Sequence, residues 1–108
     1  MFSACIGLQS ITIPNGVTSI GAWAFGFCKG LQSITVPEGV KSIEYAAFAH
    51  CANLRSITIS DGVIRIAGDA FVGCKNLTVY CSENSYARKY AETHGIPFKI
   101  VSIQNNET

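Results

Sequence analysis

The strongest constraint on the fold of this chain is a period of 23 residues. Phenylalanine, cysteine and leucine each recur at this step, at Phe2, Phe25, Phe48 and Phe71, at Cys5, Cys28, Cys51 and Cys74, and at Leu8, Leu31, Leu54 and Leu77. Such a period indicates a solenoid, in which each repeat buries its apolar face against the next one. Three repeats are complete, and the fourth departs from the pattern after Leu77.

Each repeat contains a short alternating segment that predicts one strand. In the second repeat Ile34 and Val36 alternate with Ser33 and Thr35, so the apolar pair is expected to face the coil interior. The segment 37–39, Pro-Glu-Gly, predicts a β-turn after the strand, because proline fixes φ and glycine suits the end of a turn.

The residues that precede each strand step by three. Phe25, Cys28 and Leu31 keep this spacing, and the next repeat keeps it too. A step of three places side chains on one side of a tight helix, so the spacing predicts a single 3₁₀ or α turn. Stacked coils would then place the phenylalanines on one another along the axis.

The repeat resembles the BspA-like class of leucine-rich repeats. The positions that carry the resemblance are Ala24, Phe25, Cys28, Leu31, Ile34, Val36, Pro37, Gly39, Val40 and Ile43, and again the stretch 47–66. The likeness covers roughly residues 1–80, with Ser60 in place of the turn proline. It implies an α/β solenoid: a right-handed coil with a parallel sheet on its concave face, single-turn helices on the other side and a C-terminal helix-strand cap.

The C-terminal segment breaks the period, and its composition predicts that cap. Residues 86–94 read as a short helix after several N-cap candidates, and Gly95 is placed to end it. Residues 98–103 read as a final strand. We therefore expect repeats over 1–81, a cap over 82–103 that closes the last coil, and a mobile polar tail over 104–108.

Charge and composition exclude several classes of partner. The net charge is +1 and the basic residues are dispersed, which argues against nucleic acid or an anionic membrane as partner. No apolar run approaches the ~20 residues that cross a bilayer, so membrane insertion is not expected. The sequence shows no signal peptide, and it begins inside a repeat, which suggests a fragment of something longer.

The cysteines predict a ladder of buried thiols. Successive coils would place Cys5, Cys28, Cys51 and Cys74 about 5 Å apart, the spacing of paired strands. Translated copies point their Cβ atoms in the same direction, however, and disulfide geometry is demanding. A line of thiols is also a poor metal site, because ligands must converge on a point. We expect these cysteines to be buried and unbonded.

Residues with the spacing of a catalytic or cofactor site are not found. The two histidines, His50 and His94, stand in unrelated contexts, and the turn glycines stand alone. No nucleophile triad, metal-ligand spacing or phosphate loop appears. The sequence therefore predicts neither an enzyme nor a protein with a cofactor or metal.

Two surfaces are candidates for binding a partner. The first is a ladder of hydroxyl side chains on the outer face of the sheet, made of Ser10, Thr12, Ser33, Thr35, Ser56 and Thr58. The alternative is that threonine is simply a favourable strand residue next to water. The second is a patch of Trp23, Phe27, Tyr45 and His50, at positions that vary between repeats, as exposed aromatic residues are enriched in interfaces. The alternative is partial burial between coils.

The resemblance also implies a function. Such domains occur in cell-surface or secreted proteins of bacteria and protists that adhere to host proteins or to other cells, so we expect a non-catalytic protein-binding module. An intracellular scaffold or effector is the main alternative, and an enzyme without a recognisable motif is a third. The strand over residues 10–13 would be a sheet edge, so a homodimer through the N-terminal coil is also expected.

Overall fold

The strands of this chain form a pattern that repeats along the sequence. The computed structural model describes residues 10–14 and 16–101, and within them it shows eight strands and one helix. The strands are β1 (Ser10–Thr12), β2 (Ser19–Ile20), β3 (Ser33–Val36), β4 (Ser42–Ile43), β5 (Ser56–Ile59), β6 (Arg65–Ile66), β7 (Thr78–Cys81) and β8 (Phe98–Ile100). The helix, α1, spans Tyr86–Thr93.

Two parallel sheets run from coil to coil. The long strands form a sheet in the order β1-β3-β5-β7-β8, and the short ones form a second sheet in the order β2-β4-β6. Ser10 lies opposite Ser33, and Ser33 lies opposite Ser56, so one period of sequence is one step across the sheet. The predicted parallel-strand solenoid is confirmed. Its handedness and the concave placement of the larger sheet stay predictions.

The interior of the coils is filled by the residues that recur. Ile34 and Val36 are buried while Ser33 and Thr35 are exposed, as the alternation predicted. The ring of Phe48 is fully buried. Its centroid lies 5.1 Å from that of Phe25 and 5.4 Å from that of Phe71, with ring planes within 6° and 9° of parallel. The phenylalanines therefore stack along the axis, as expected, over the described residues; Phe2 lies outside them.

The segments predicted as single helical turns are successions of β-turns instead. The N–H of Cys28 donates to the carbonyl of Phe25 at 3.3 Å, within the coil, whereas the N–H of Phe27 donates to the carbonyl of Ala49 at 2.8 Å, in the next coil. A helix would direct all of these N–H groups along its own axis and leave none for the neighbouring coil. Because the N–H groups point alternately into their own coil and to the next coil, groups in both directions find acceptors. The segment therefore forms a series of β-turns, which we call the turn ladder, instead of a helix.

The fourth coil is shorter than the others. Thr78 lies opposite Ser56 and Tyr80 lies opposite Thr58, so this coil has lost one residue relative to the period. The missing position is the counterpart of Arg55, between the buried leucine and the strand. β7 thereby keeps its register with β5 although the spacing in sequence has changed.

The C-terminal segment packs on the end of the last coil. The Ser85 hydroxyl accepts a hydrogen bond from the Arg88 N–H at 3.1 Å and so caps the first turn of α1. The helix buries Ala87, Tyr90 and Ala91, whereas Tyr86 is exposed. β8 then pairs in parallel with β7. The predicted strand 98–103 extends over Phe98–Ile100, and residues 102–108 lie outside the described residues.

Two glycines at equivalent turns provide a matched test of coil spacing. A Cβ atom on Gly62 would collide with the carbonyl oxygen of Glu38, whereas a Cβ on Gly39 would lie 3.6 Å from the carbonyl oxygen of Val17. We expect Gly62→Ala to lower the free energy of unfolding by about 1–3 kcal/mol, as overpacking does. Gly39→Ala should change it by less than about 1 kcal/mol. Urea denaturation of both variants measures the difference, and equal effects would contradict it.

The buried hydroxyl of Tyr90 leads us to predict that the protein loses stability at alkaline pH. Its hydroxyl donates to the carbonyl of Ala67 at 2.8 Å, and the carbonyl of Gly68 lies 3.1 Å away. Burial, followed by the negative charges nearby, raises the pKa of Tyr90 from 10.0 to about 12. The unfolded chain thus loses this proton first, so stability is full below pH 10 and falls as the pH rises towards 12.

The test is urea denaturation of wild type and Tyr90→Phe across that pH range. The variant should be less stable by about 1 kcal/mol at neutral pH, because it lacks the hydrogen bond, and should lose less stability on going to high pH. Tyr45→Phe is the control, since Tyr45 is 52% exposed; it should keep the wild-type slope. A Tyr90→Phe profile parallel to wild type would contradict the assignment.

Candidate functional site

Four exposed ring side chains lie next to one another on the turn side of the coils. We call Trp23, Phe27, Tyr45 and His50 the aromatic row. The centroids of Trp23 and Phe27 are 5.9 Å apart with nearly parallel planes, those of Phe27 and His50 are 4.9 Å apart, and Tyr45 meets Trp23 edge-on at 6.0 Å. Trp23, Phe27 and Tyr45 are 39%, 45% and 52% exposed. The residues that the sequence suggested as one patch are therefore in contact, and their role in binding stays a prediction.

Two glycines set the positions of two rings of the row, those of Trp23 and His50. A Cβ atom on Gly26 would lie 2.7 Å from Cε3 of Trp23, and a Cβ on Gly73 would press against Nδ1 of His50. These rings therefore lie directly over bare backbone. Because each ring is packed on a glycine and on a second ring, its freedom to rotate is small. These two rings are therefore held in place before any partner binds.

The backbone of the row adopts conformations that favour glycine. The φ angles of Trp23, Phe27 and His50 are 62°, 61° and 59°. The residue equivalent to His50 in the next coil is Gly73, with a φ of 82°. A non-glycine residue in this region costs of order 1–3 kcal/mol, and here three large rings occupy it. The hydrogen bonds between coils hold them there: the His50 N–H donates to the carbonyl of Val72 at 2.6 Å.

The hydroxyl ladder lies on the larger sheet, on a different segment of each coil from the row. Ser10, Ser33 and Thr35 are exposed, and Ser56 and Thr58 are half-buried. The side chain of Thr12 lies outside the described part of the chain. The strand registers align the positions of these residues in rows across the sheet.

The hydroxyl rows continue into residues that the sequence interpretation missed. Thr78 extends the row of Ser56, and Tyr80 extends the row of Thr58. Lys99 of β8 lies opposite Tyr80. The missing residue in the fourth coil hides this alignment from a strict count of 23. Alignment of Leu77 with Leu54, followed by the loss of one residue, would have found it.

A small charged cluster stands beside the row. Glu44, next to Tyr45 in sequence, accepts a hydrogen bond from the Ser42 hydroxyl at 2.8 Å and forms an ion pair with Arg65 at 2.8 Å. The hydrogen bond from Ser42, then that from Arg65, lowers the pKa of the Glu44 carboxyl. An exposed pair of this kind contributes little to stability. Its effect is that the Glu44 carboxylate next to the rings has Arg65 as its partner.

The thiol ladder is present and contains no disulfide among the described residues. Cys28, Cys51 and Cys74 are not linked to another cysteine, and Cys5 lies outside the described residues. Cys51 donates to the carbonyl of Phe25 at 3.0 Å, and Cys74 donates to the carbonyl of Phe48 at 3.0 Å. Each of these two thiols thus bonds to the backbone of the preceding coil. Burial is confirmed for Cys28 and Cys51 but wrong for Cys74, which is half-buried because the coil after it is replaced by α1.

The ladder predicts an order of thiol reactivity. Contact with the Cys74 thiol, followed by burial, raises the pKa of Cys51, and the same contact lowers the pKa of Cys74. Reaction with a maleimide goes through the thiolate, so among these three cysteines of the native protein Cys74 should be labelled first, and Cys28 and Cys51 much more slowly. Mass spectrometry of peptides from a labelling time course measures the order. Cys74→Ser should remove the fast phase, and fast labelling of Cys51 would contradict the ladder.

Groups typical of catalysis are not assembled in the part of the chain that the structure describes. There, no three His, Cys, Asp or Glu side chains converge as metal ligands. His50 stacks on Phe27, and His94 stacks on Tyr90 with centroids 4.1 Å apart. Within residues 10–14 and 16–101 no helix has the length and apolar character needed to cross a membrane.

A family model described as "BspA type Leucine rich repeat region (6 copies)" matches residues 1–91. The match covers most of the chain, and the chain belongs to this family. Searches of curated proteins and of solved structures gave no significant match. Leucine-rich repeats usually mediate protein interactions and are generally not enzymes. BspA-like repeats are typically found on surface or secreted proteins.

Proposed function

We propose that this chain is a non-catalytic protein-binding module of a cell-surface or secreted protein, with adhesion as its role. The observation that carries the proposal is the aromatic row: large rings, exposed and mutually packed, on a backbone that costs free energy to hold. The usual role of the family in protein interactions supports it. A partner protein with an exposed apolar side chain, set among hydrogen-bonding groups, fits such a surface.

The row is better suited than the hydroxyl ladder to supply binding energy. Tryptophan and tyrosine are enriched among the residues whose truncation costs most at interfaces, whereas serine and threonine are under-represented. Rings already fixed by Gly26 and Gly73 also lose little side-chain entropy on binding. We therefore propose that the row anchors the partner. The ladder, with Tyr80 and Lys99 at its end, would provide a second, weaker polar contact.

We also propose a division of the chain into repeats over residues 1–81, a cap over residues 82–103 and a tail over residues 104–108. Tyr90 of α1 ends the phenylalanine stack, since its ring meets that of Phe71 edge-on with centroids 6.1 Å apart, which supports the closing role of the helix. Self-association through β1, at the edge of the larger sheet as described, stays a prediction. An intracellular scaffold or effector would use the same row, and no observation favours that setting or an enzyme.

A peptide-display selection against the whole chain tests where partners bind. Selected ligands should lose affinity for Trp23→Ala by about 30-fold, the equivalent of about 2 kcal/mol for an interface anchor. Alanine is tolerated in this backbone conformation, because Ala46 holds the equivalent position with a φ of 55°. The variant should therefore fold, and its thermal midpoint checks that it does.

Two control variants separate the surfaces. Ile64→Ala removes an apolar side chain that is 69% exposed and outside the row, so it should leave affinity unchanged. Thr35→Lys with Thr58→Lys alters the hydroxyl ladder and should weaken binding less than Trp23→Ala does. If the lysine pair abolished binding while Trp23→Ala had no effect, the anchor would lie on the sheet and the proposal for the row would be wrong.

A further inference from the structure

The shortened fourth coil creates a sequence motif that its longer neighbour lacks. The third coil reads Asn53-Leu54-Arg55-Ser56, and the fourth reads Asn76-Leu77-Thr78. Because Thr78 takes the strand position of Ser56, the loss of one residue brings a hydroxyl two positions after the asparagine. Asn-x-Ser/Thr, where x is not proline, is the acceptor motif for N-linked glycans.

The two asparagines also differ in how their side chains are held. The Asn53 side-chain amide donates to the carbonyl of Lys29 at 2.7 Å. No such bond is found for the Asn76 amide among the described residues. Asn76 lies in an exposed turn just before β7, whereas Leu77 between it and Thr78 is buried. A group attached to the Asn76 side chain would extend into water and leave the core intact.

We propose that Asn76 is a site of N-linked glycosylation. The site rests on the proposed passage of the chain to the cell surface or the exterior, since the co-reactant is an oligosaccharide carried on a lipid pyrophosphate and used by an oligosaccharyltransferase. Nδ2 of Asn76 forms a bond to C1 of the first sugar, the bond from C1 to the lipid pyrophosphate breaks, and the amide loses one proton. The pyrophosphate leaves with its electron pair, and nothing is oxidised or reduced.

Thr78 has a separate role in the acceptor motif. It is the first residue of β7 and half-buried, so its hydroxyl is needed for recognition by the transferase and its side chain also packs at the start of a strand. Serine keeps the hydroxyl and removes only a methyl group. Valine keeps the shape and removes the hydroxyl. These two substitutions separate recognition from packing.

The experiment translates the full chain behind a cleavable secretory leader in the presence of endoplasmic-reticulum microsomes. All proteins carry Asn106→Gln, because residues 106–108, Asn-Glu-Thr, form a second acceptor motif. Only translocated chains are scored, recognised by loss of the leader and by protection from added protease. These chains should migrate as a heavier species that an endoglycosidase returns to the lighter one. Asn76→Gln and Thr78→Val should abolish the shift, and Thr78→Ser should retain it.

Three results would overturn the proposal. Translocated chains without a shift would show that Asn76 is not an acceptor, and a shift that survives Asn76→Gln would place the glycan elsewhere. A glycosylated chain that no longer unfolded cooperatively in urea would show that the glycan is incompatible with the native surface. The binding test with Trp23→Ala uses unglycosylated protein, so failure there and failure here are independent.

Discussion

Backbone hydrogen bonding between coils is the constraint on which the rest of this structure depends. A solenoid must satisfy N–H groups along its axis as well as around each coil, since buried unpaired groups are costly. In the strands every other group points to the next coil. In the turn segments the same alternation holds, with the Phe25 N–H donating to the carbonyl of Ala47 at 2.7 Å and the Gly26 N–H donating to that of Trp23 at 3.0 Å. The near-constant length of the coils follows from this two-way pairing.

The aromatic row is a consequence of that pairing. Peptide groups can alternate in a tight turn only if some residues adopt positive φ, the conformation that glycine accepts most readily. Gly73 meets this requirement at no steric cost, whereas Trp23 and Phe27 meet it with large side chains. Their rings are exposed, whereas the small side chain of Ala46, which has positive φ at the position equivalent to Trp23, is buried. The choice of side chain at these positions therefore changes the surface without changing the coil.

Much of this fold could be predicted from the sequence, because the repeated residues are the core. The strand alternation at Ile34 and Val36 and the stacking of Phe25 on Phe48 follow directly from the period. The turn ladder could not be predicted, because a step of three is common to 3₁₀ helices and to β-turns. What distinguishes them is pairing with the next coil, a contact 22 or more residues away that local spacing does not encode.

The surface was less predictable than the core for a related reason. The sequence singled out the members of the aromatic row by their departure from the repeat, and the coil step brought Phe27 and His50 into contact because they occupy equivalent positions. Tyr80 was missed because one residue is absent before β7, which shifts its alignment onto Thr58. In this repeat protein, the pairing of strands between coils is kept even where the number of residues in a coil changes. Its irregular coil is therefore where side chains and motifs arise that the regular coils do not have, as both Tyr80 and the Asn76 acceptor motif illustrate.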